Sequence, residues 1–221
     1  MKAEQAEPAR IVVLISGSGS NFQAIAEACQ KKEIDGEIVG VISNRPGVMG
    51  LDRAEQFEIP STVLDHTEFS SREEFDGKLI HEIDQYGPDL VVLAGFMRIL
   101  TPDFVRRYKG RLLNIHPSLL PKYKGLNTHK RALEAGDKEH GVTVHFVSED
   151  LDGGPNIIQA VVPVLDDDTE GSLKTRVQMQ EHVIYPIAVK WFIEGRLSML
   201  KGDAYFDNEP LPESGLQLTA N

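Results

Sequence analysis

Short runs of β-branched and other apolar residues alternate with helical segments along most of this chain, and this alternation limits the possible folds more than any other feature. Strands are predicted at 11–16, 37–43, 61–64, 89–95, 111–116, 141–147 and 157–165. Such an order requires a mostly parallel sheet that helices cover on both faces. We therefore predict an α/β protein with a single Rossmann-like domain, in which helices flank a mostly parallel, twisted sheet.

Capping and breaking residues predict where the helices begin and end. Ser70 and Ser71 each precede a glutamate by three residues, so either fits the N-cap of a helix that reaches about Tyr86. Further helices are predicted from Thr101, from Asn127 or Thr128, and over 169–195 with a kink or interruption at Pro186.

Charge and composition narrow the class of protein. The 221 residues carry a formal net charge of -11, which disfavours nucleic acid as a partner. Residues 1–9 lack the apolar stretch of a signal peptide, and no run is long enough to cross a bilayer. The single cysteine, Cys29, is predicted as a core residue and fits a reducing compartment. We therefore expect a cytoplasmic protein that binds neither nucleic acid nor a membrane.

The domain organisation is predicted to be simple. No internal repeat, linker or shift in composition marks a second domain. We divide the chain into a flexible N-terminal extension over 1–9, a main domain over 10–195 and a weakly patterned extension over 196–221 that packs on this domain or trails from it. The oligomeric state is left open between a monomer and a homodimer.

The segment SGSGSN, residues 16–21, lies between the first predicted strand and helix. This position suits a phosphate, because glycines allow close approach and a helix N-terminus presents N–H donors. A tight turn with Ser20 or Asn21 as N-cap is the alternative. A dinucleotide is disfavoured, since the third glycine of its fingerprint and an acidic residue after the second strand are both missing. A nucleoside-triphosphate loop is also missing. A single phosphate monoester fits the turn best.

Polar side chains end the strand predicted at 111–116. Asn114 and His116 lie two residues apart, so an extended strand directs both to one face. Asp152 follows a later strand and precedes two glycines. Because ligands bind outside the carboxyl ends of parallel strands, these three side chains are placed to meet near the turn 16–21. A purely structural histidine is the alternative.

These three side chains would suit acyl transfer to an amine. An aspartate near a histidine favours the imidazolium form and raises the histidine pKa, which gives an acid–base group near neutral pH. An asparagine amide stabilises a developing oxyanion. No serine or cysteine has a partner that would activate it, so we expect direct transfer through a tetrahedral intermediate. The histidines lack the usual spacing of zinc ligands, so no metal is expected.

Five segments together resemble a known family. IVVLISGSGSN, VVLAGFMRIL, LLNIHPSLLPKYKG, HGVTVHFVSEDLDGGPNIIQ and VQMQEH are similar, in this order, to segments of the folate-dependent formyltransferases. HPSLLP and DGGP are typical of the whole family, whereas SGSGSN and VQMQEH are typical of its branch that acts on phosphoribosylglycinamide in purine synthesis. The resemblance spans roughly residues 10–195, which would make the main domain a catalytic domain of the formyltransferase fold.

The resemblance implies two substrates and the residues that bind them. 10-Formyltetrahydrofolate would donate the formyl group to the amine of 5′-phosphoribosylglycinamide, without a metal. The implied residues are a catalytic set of Asn114, His116 and Asp152; phosphate-binding Gly19, Ser20 and Asn21; Gln178 and Glu181 at the ribose and glycinamide; and Arg72, Met97, Arg98, Ile99, Leu100 and Asn114 around the folate. His116 would be the general acid and base, Asp152 would raise its pKa and Asn114 would stabilise the oxyanion.

Two positions depart from the family, and three alternatives remain. Relatives commonly have proline in place of Lys124 and histidine in place of Asn127, so we expect a different loop mobility or a different contact with the acidic folate tail. Methionyl-tRNA formyltransferases and formyltetrahydrofolate hydrolases share the site, but each resembles a longer protein with an added domain. A folate or nucleotide sensor is disfavoured because binding alone requires no acid–base pair.

Overall fold

An eight-stranded sheet and a separate three-stranded sheet form the scaffold within residues 7–219, which are the residues that the computed structural model describes. The strands are β1 (Ala9–Ile15), β2 (Gly36–Ser43), β3 (Ser61–Val63), β4 (Leu90–Leu93), β5 (Leu112–His116), β6 (Glu139–Phe146), β7 (Asn156–Pro163), β8 (Leu197–Leu200), β9 (Asp203–Phe206), β10 (Glu209–Pro210) and β11 (Leu216–Thr219). The order across the larger sheet is β11-β7-β6-β5-β4-β1-β2-β3. Its pairings are parallel, apart from those that β6 makes with β5 and β7. The prediction of an α/β domain with a mostly parallel sheet is confirmed.

Alternate residues of the central strands face opposite sides of the sheet and build two apolar cores. In β1, Ile11 and Val13 pack into one core, whereas Val12 and Leu14 pack into the other. The helices are α1 (Ser20–Gln30), α2 (Met49–Gln56), α3 (Arg72–Gln85), α4 (Pro102–Arg107), α5 (Thr128–Ala135) and α6 (Glu170–Ile193), with a short 3₁₀ helix at His66–Glu68. α1 and α6 cover the first core, and α3 and α4 cover the second. Burial of the strands on both faces explains their continuous apolar runs.

The helices follow most of the capping signals. Of the two candidate N-caps of α3, Ser71 occupies the position, and its hydroxyl accepts a hydrogen bond from Glu74 N at 3.1 Å. Thr101 caps α4 as predicted. α6 continues through Pro186, so no interruption occurs there, and the buried Tyr185 beside it holds the helix on the sheet. None of the helices within residues 7–219 has the length and apolar character that a bilayer span requires.

The weakly patterned C-terminal residues contain four short strands. β8, β9 and β10 form an antiparallel sheet, and β11 returns to pair in parallel with β7. The rings of Trp191 and Phe206 lie 4.6 Å apart and join this small sheet to α6. The division of the chain at 10–195 stays a prediction, and residues 1–6 and 220–221 of its two extensions lie outside the described residues.

Candidate active site

His116 lies at the carboxyl end of β5, where both of its ring nitrogens face acceptors. Its Nδ1 is 3.4 Å from Asp152 Oδ2, and its Nε2 donates to the carbonyl oxygen of Tyr123 at 2.9 Å. The side chains of His116 and Asp152 are each only 8% exposed. Because a carbonyl oxygen only accepts, Nε2 carries a proton, and a second proton at Nδ1 would satisfy the carboxylate. The structure therefore brings two of the three predicted catalytic residues into contact.

The DGGP loop holds Asp152 in position. Asp152 has a φ of 47°, and its Oδ2 accepts a hydrogen bond from Gly125 N at 2.9 Å. A side chain at Gly154 would place its Cβ 1.8 Å from the carbonyl oxygen of Phe146, at the end of β6. Glycine is therefore required there, since it lets the loop lie directly against β6.

Asn114 pairs with a residue that the sequence interpretation did not select. Its Nδ2 donates to His145 Nε2 at 3.2 Å, while His145 Nδ1 donates to the carbonyl oxygen of Phe146 at 2.8 Å. Burial lowers the pKa of His145, which favours the neutral ring and leaves Nε2 free to accept. His145 Nε2 also lies 3.9 Å from Asp152 Oδ1. His145 therefore orients the Asn114 amide and also lies next to Asp152.

Buried polar side chains of β6 and β7 fix the loop after His116. The Thr143 hydroxyl donates to the carbonyl oxygen of Ser118 at 2.6 Å and accepts from Leu120 N at 3.1 Å. Gln159 Nε2 donates to the same hydroxyl at 3.1 Å and to the carbonyl oxygen of Leu120 at 2.8 Å. This anchored loop carries the Tyr123 carbonyl that contacts His116.

The glycine-rich turn meets α6 at a second polar corner. Gly19, with a φ of 69°, is the N-cap of α1, so neither Ser20 nor Asn21 caps it. Asn21 Nδ2 donates to Glu181 Oε2 at 2.7 Å, and Gln178 Nε2 donates to Ser20 Oγ at 3.1 Å. Burial raises the pKa of Glu181. The residues predicted for the phosphate and for the ribose therefore lie side by side.

The loop after β4 presents the predicted folate residues. The side chains of Met97 and Ile99 are exposed, although both are apolar. Arg98 stacks over the ring of Phe75 at 4.4 Å, and its Nε is buried without a partner among the described residues. Burial raises the pKa of Asp76 in α3, and the positive charges of Arg98 and Arg72 oppose this rise. Both predicted folate residues therefore lie near the same buried carboxyl group.

Two hydrogen bonds tie this loop to its surroundings. Thr101 N donates to Asp76 Oδ2 at 2.6 Å, and Met97 N donates to Ser16 Oγ at 2.7 Å. Ser16 in turn donates to Asn44 Oδ1 at 2.5 Å. Because β1, β4 and β5 are parallel neighbours, the loops that follow them lie along one edge of the sheet, where ligands of parallel sheets bind.

Comparison with known proteins decides the family. The family model described as formyl transferase matches residues 9–189, which is most of the 221-residue chain. The chain belongs to the formyl transferase family. The family predicted from the five sequence segments is thereby confirmed.

This formyl transferase has near relatives along almost its full length. It is 58% identical over 205 residues to the phosphoribosylglycinamide formyltransferase of Escherichia coli (strain K12), and the matched region covers 93% of this chain and 97% of that relative. It is 46% identical over 191 residues to the human trifunctional purine biosynthetic protein adenosine-3, matching 86% of this chain and 19% of that protein. Its fold resembles the structure of phosphoribosylglycinamide formyltransferase from Coxiella burnetii in complex with CHES, with a TM-score of 0.92, 53% identity, and coverage of 96% and 100% of the two chains.

A cavity of about 440 Å³ lies behind Asp152 in this formyl transferase. It is bounded by the loop after His116, the DGGP loop and the C-terminal extension. Lys124 lies on its wall, with Nζ 3.4 Å from where a side chain at Gly153 would begin. Asn127 is the N-cap of α5 with a φ of 56°. The predicted effect of these two residues on the folate tail stays a prediction. Among residues 7–219, no cluster of three or more histidine, cysteine or acidic side chains is arranged to hold a metal ion.

Proposed function

We propose that this protein transfers the formyl group of 10-formyltetrahydrofolate to the amine of 5′-phosphoribosylglycinamide, in de novo purine biosynthesis. The observation that carries this proposal is the buried contact between His116 and Asp152 beside the Asn114–His145 pair. Relatives that are named phosphoribosylglycinamide formyltransferase, at 58% and 50% identity, support the choice of acceptor.

The proposed chemistry needs one acid–base group and one oxyanion donor. The acceptor amine forms a bond to the formyl carbon, and the bond from that carbon to the donor nitrogen breaks. His116 gives a proton to the departing nitrogen and regains one from the attacking amine, so its ring ends as it began. Asp152 stabilises the charged ring. The second N–H of the Asn114 amide, whose first contacts His145, donates to the formyl oxygen as negative charge develops.

The proposed binding roles follow from the unused groups of the site. Gly19, Ser20 and Asn21 hold the phosphate at the N-terminus of α1. Asn21 Oδ1 is buried without a partner among the described residues, so it could accept a hydrogen bond from the bound 5′-phosphoribosylglycinamide. Gln178 and Glu181 stand beside it and contact the ribose and glycinamide.

The folate would bind along the loop after β4. The formyl carbon comes from the bound 10-formyltetrahydrofolate and not from a group of the protein. The exposed apolar side chains of Met97 and Ile99, with the partly buried Leu100, fit the aromatic body of such a donor. Arg72 and Arg98 supply positive charge for its acidic tail, and Asn114 faces its formyl group.

The test is formyl transfer from 10-formyltetrahydrofolate, followed with and without the acceptor. We expect acceptor-dependent turnover in the wild type, its loss in His116→Ala, and its retention in His81→Ala, which removes an exposed histidine of α3. Turnover without the acceptor would instead identify a hydrolase. Tight folate binding without turnover would identify a sensor.

We further propose a cytoplasmic protein that acts as a monomer or a homodimer, with residues 10–195 as its catalytic unit. The single cysteine, Cys29, fits a reducing compartment and supports this location. Cell fractionation tests the location, and light scattering coupled to size-exclusion chromatography tests the oligomeric state. Recovery in the membrane fraction, or a larger assembly, would contradict these proposals.

A further inference from the structure

The turn that we propose as the phosphate site has no positively charged side chain of its own. Residues 16–21 are serine, glycine and asparagine, and the first turn of α1 adds only the partial positive charge of a helix N-terminus. Glu181 lies 2.7 Å from Asn21 and adds a carboxyl group. A phosphate monoester carries nearly two negative charges at neutral pH. A positively charged side chain from another element would therefore strengthen the binding of a phosphate here.

Arg53 brings a guanidinium group to this turn from α2. Its Nε donates to the carbonyl oxygen of Ser18 at 2.8 Å. Its Cδ lies 3.6 Å from the point where a side chain at Gly19 would begin. The charged group is thus held beside Ser18 and Gly19, at the N-terminal end of α1, and this is the end of a helix where an anion binds.

Two glycines allow this approach. A side chain at Gly19 would begin 2.7 Å from Gly50 Cα, so the backbones of the turn and of α2 are in direct contact. Gly50 N donates to the carbonyl oxygen of Gly17 at 3.0 Å and fixes the two segments together. Arg53 lies one turn further along α2, and its position relative to the phosphate turn is therefore set by backbone contacts rather than by a flexible loop.

The contacts of Arg53 leave its charge available. Ser18 offers a neutral carbonyl oxygen, and within residues 7–219 the only hydrogen bond of Arg53 Nη2 goes to the weakly accepting sulfur of Met49 at 3.4 Å. Neither partner neutralises the guanidinium. A guanidinium that is fixed through Nε keeps its two Nη groups for a bidentate contact with phosphate oxygens.

We propose that Arg53 is the residue that selects a phosphorylated acceptor, by binding the 5′-phosphate together with the backbone N–H groups of residues 19–21. This inference rests on the proposed function and specifies which charge recognises its substrate. The competing interpretation is that Arg53 only braces the turn through Ser18. A brace needs only the hydrogen bond to Ser18, whereas a phosphate ligand also needs a positive charge next to the phosphate.

The experiment compares 5′-phosphoribosylglycinamide with the same acceptor that lacks the phosphate. We expect the ratio of the two kcat/KM values to fall about 10- to 100-fold in Arg53→Gln, as for the loss of a charge-assisted hydrogen bond. Arg53→Lys should fall between this variant and the wild type, because lysine keeps the charge but not the bidentate geometry. Inorganic phosphate should also inhibit Arg53→Gln more weakly than the wild type.

Matched measurements exclude a general loss of structure. Arg107→Gln removes an arginine of α4 that pairs with Asp84, and its ratio should equal that of the wild type. Thermal unfolding shows whether Arg53→Gln remains folded, and the KM for the formyl donor should change less than twofold. An unchanged ratio in a folded Arg53→Gln protein overturns the inference. A wild type that formylates neither acceptor overturns the proposed function instead, so the two failures are distinguishable.

Discussion

Replacing Thr143 by valine exchanges a hydroxyl group for a methyl group beneath the loop that follows His116. The hydroxyl donates to the carbonyl oxygen of Ser118 and accepts from Leu120 N. Thr143 and Ser118 are fully buried, and Leu120 is only 3% exposed, so water cannot replace these contacts without rearrangement. Valine has nearly the same shape, and the change therefore isolates the hydrogen bonds from the packing.

The magnitude follows from the groups that lose a partner. Leu120 N and the Ser118 carbonyl oxygen would each be left unsatisfied in the interior, at roughly 1–3 kcal/mol apiece. Gln159 Nε2 would also lose its hydrogen bond to the hydroxyl at 3.1 Å, but it keeps the one to the Leu120 carbonyl oxygen at 2.8 Å. For these two backbone groups we expect the free energy of unfolding to fall by roughly 2–6 kcal/mol, which is a large part of the typical total of about 5–15 kcal/mol.

The assay is urea unfolding followed by circular dichroism, with kcat measured on the same preparations. Thr143→Ser is the control, because it keeps the hydroxyl and loses one methyl group, at about 1 kcal/mol. The kcat should fall further in Thr143→Val than in Thr143→Ser, since this loop carries the Tyr123 carbonyl that contacts His116. Equal stability and equal kcat in the two variants would refute the view that the hydroxyl holds the loop.

Three further predictions concern other buried groups. Burial lowers the pKa of His140 from 6.5 to about 4, so the folded protein resists its protonation and loses stability as the pH falls below about 6.5. Between pH 7 and pH 5 the wild type should lose roughly 2 kcal/mol more than His140→Gln in urea unfolding, and parallel losses would count against this burial effect. Gly154→Ala should lower both stability, by roughly 1–3 kcal/mol, and kcat, because its Cβ would meet a carbonyl oxygen at 1.8 Å. Gly77→Ala is the control, because no atom lies within 4 Å of the new Cβ in α3, and it should lower neither stability nor kcat. Similar thermal unfolding of the two variants would contradict the clash at Gly154. Ser16→Ala should raise the KM for the formyl donor more than the KM for the acceptor in steady-state kinetics, since it frees Met97 N, whereas equal changes would show that the loop does not depend on Ser16.

Local patterns were sufficient to predict much of the sheet and of the site. Alternation placed Asn114 and His116 on one face, and the rule for the carboxyl ends of parallel strands placed Asp152 near them. Both inferences use only the direction of a chain segment and the position of its end. The meeting of Gln178 and Glu181 with the turn 16–21 came from the family resemblance, because no local pattern specifies which helix packs beside another.

The parts that were missed depend on register. His145 contacts Asn114 because β6 runs antiparallel to β5 with these two residues opposite each other. A one-residue shift of β6 would turn His145 to the other face of the sheet, and nothing in its own sequence fixes that pairing. The alternation of Thr143 and His145 with Val142 and Val144 is the signal that identifies two inward polar groups, but not what they contact.

The C-terminal strands were missed for a different reason. β8 to β11 are each two to four residues long, which is too short to show a period of two against their surroundings. Contacts made elsewhere in the chain stabilise them. The Phe206 ring packs on Trp191 of α6, and Gly215 lies so close to Ile157 that its Cβ would be 2.5 Å from that residue's carbonyl carbon.

The hydrogen bond between Asn21 and Glu181 joins residues that are 160 positions apart in the chain. During synthesis from the N-terminus, the glycine-rich turn therefore emerges long before its partner helix α6 exists. Such a distant contact forms only when nearly the whole chain is available to close the intervening loop. A ligand that contacts both Asn21 and Glu181 would bind only those protein chains in which α6 has already packed beside the turn. Its binding would therefore report that folding is complete and not merely that the turn has formed.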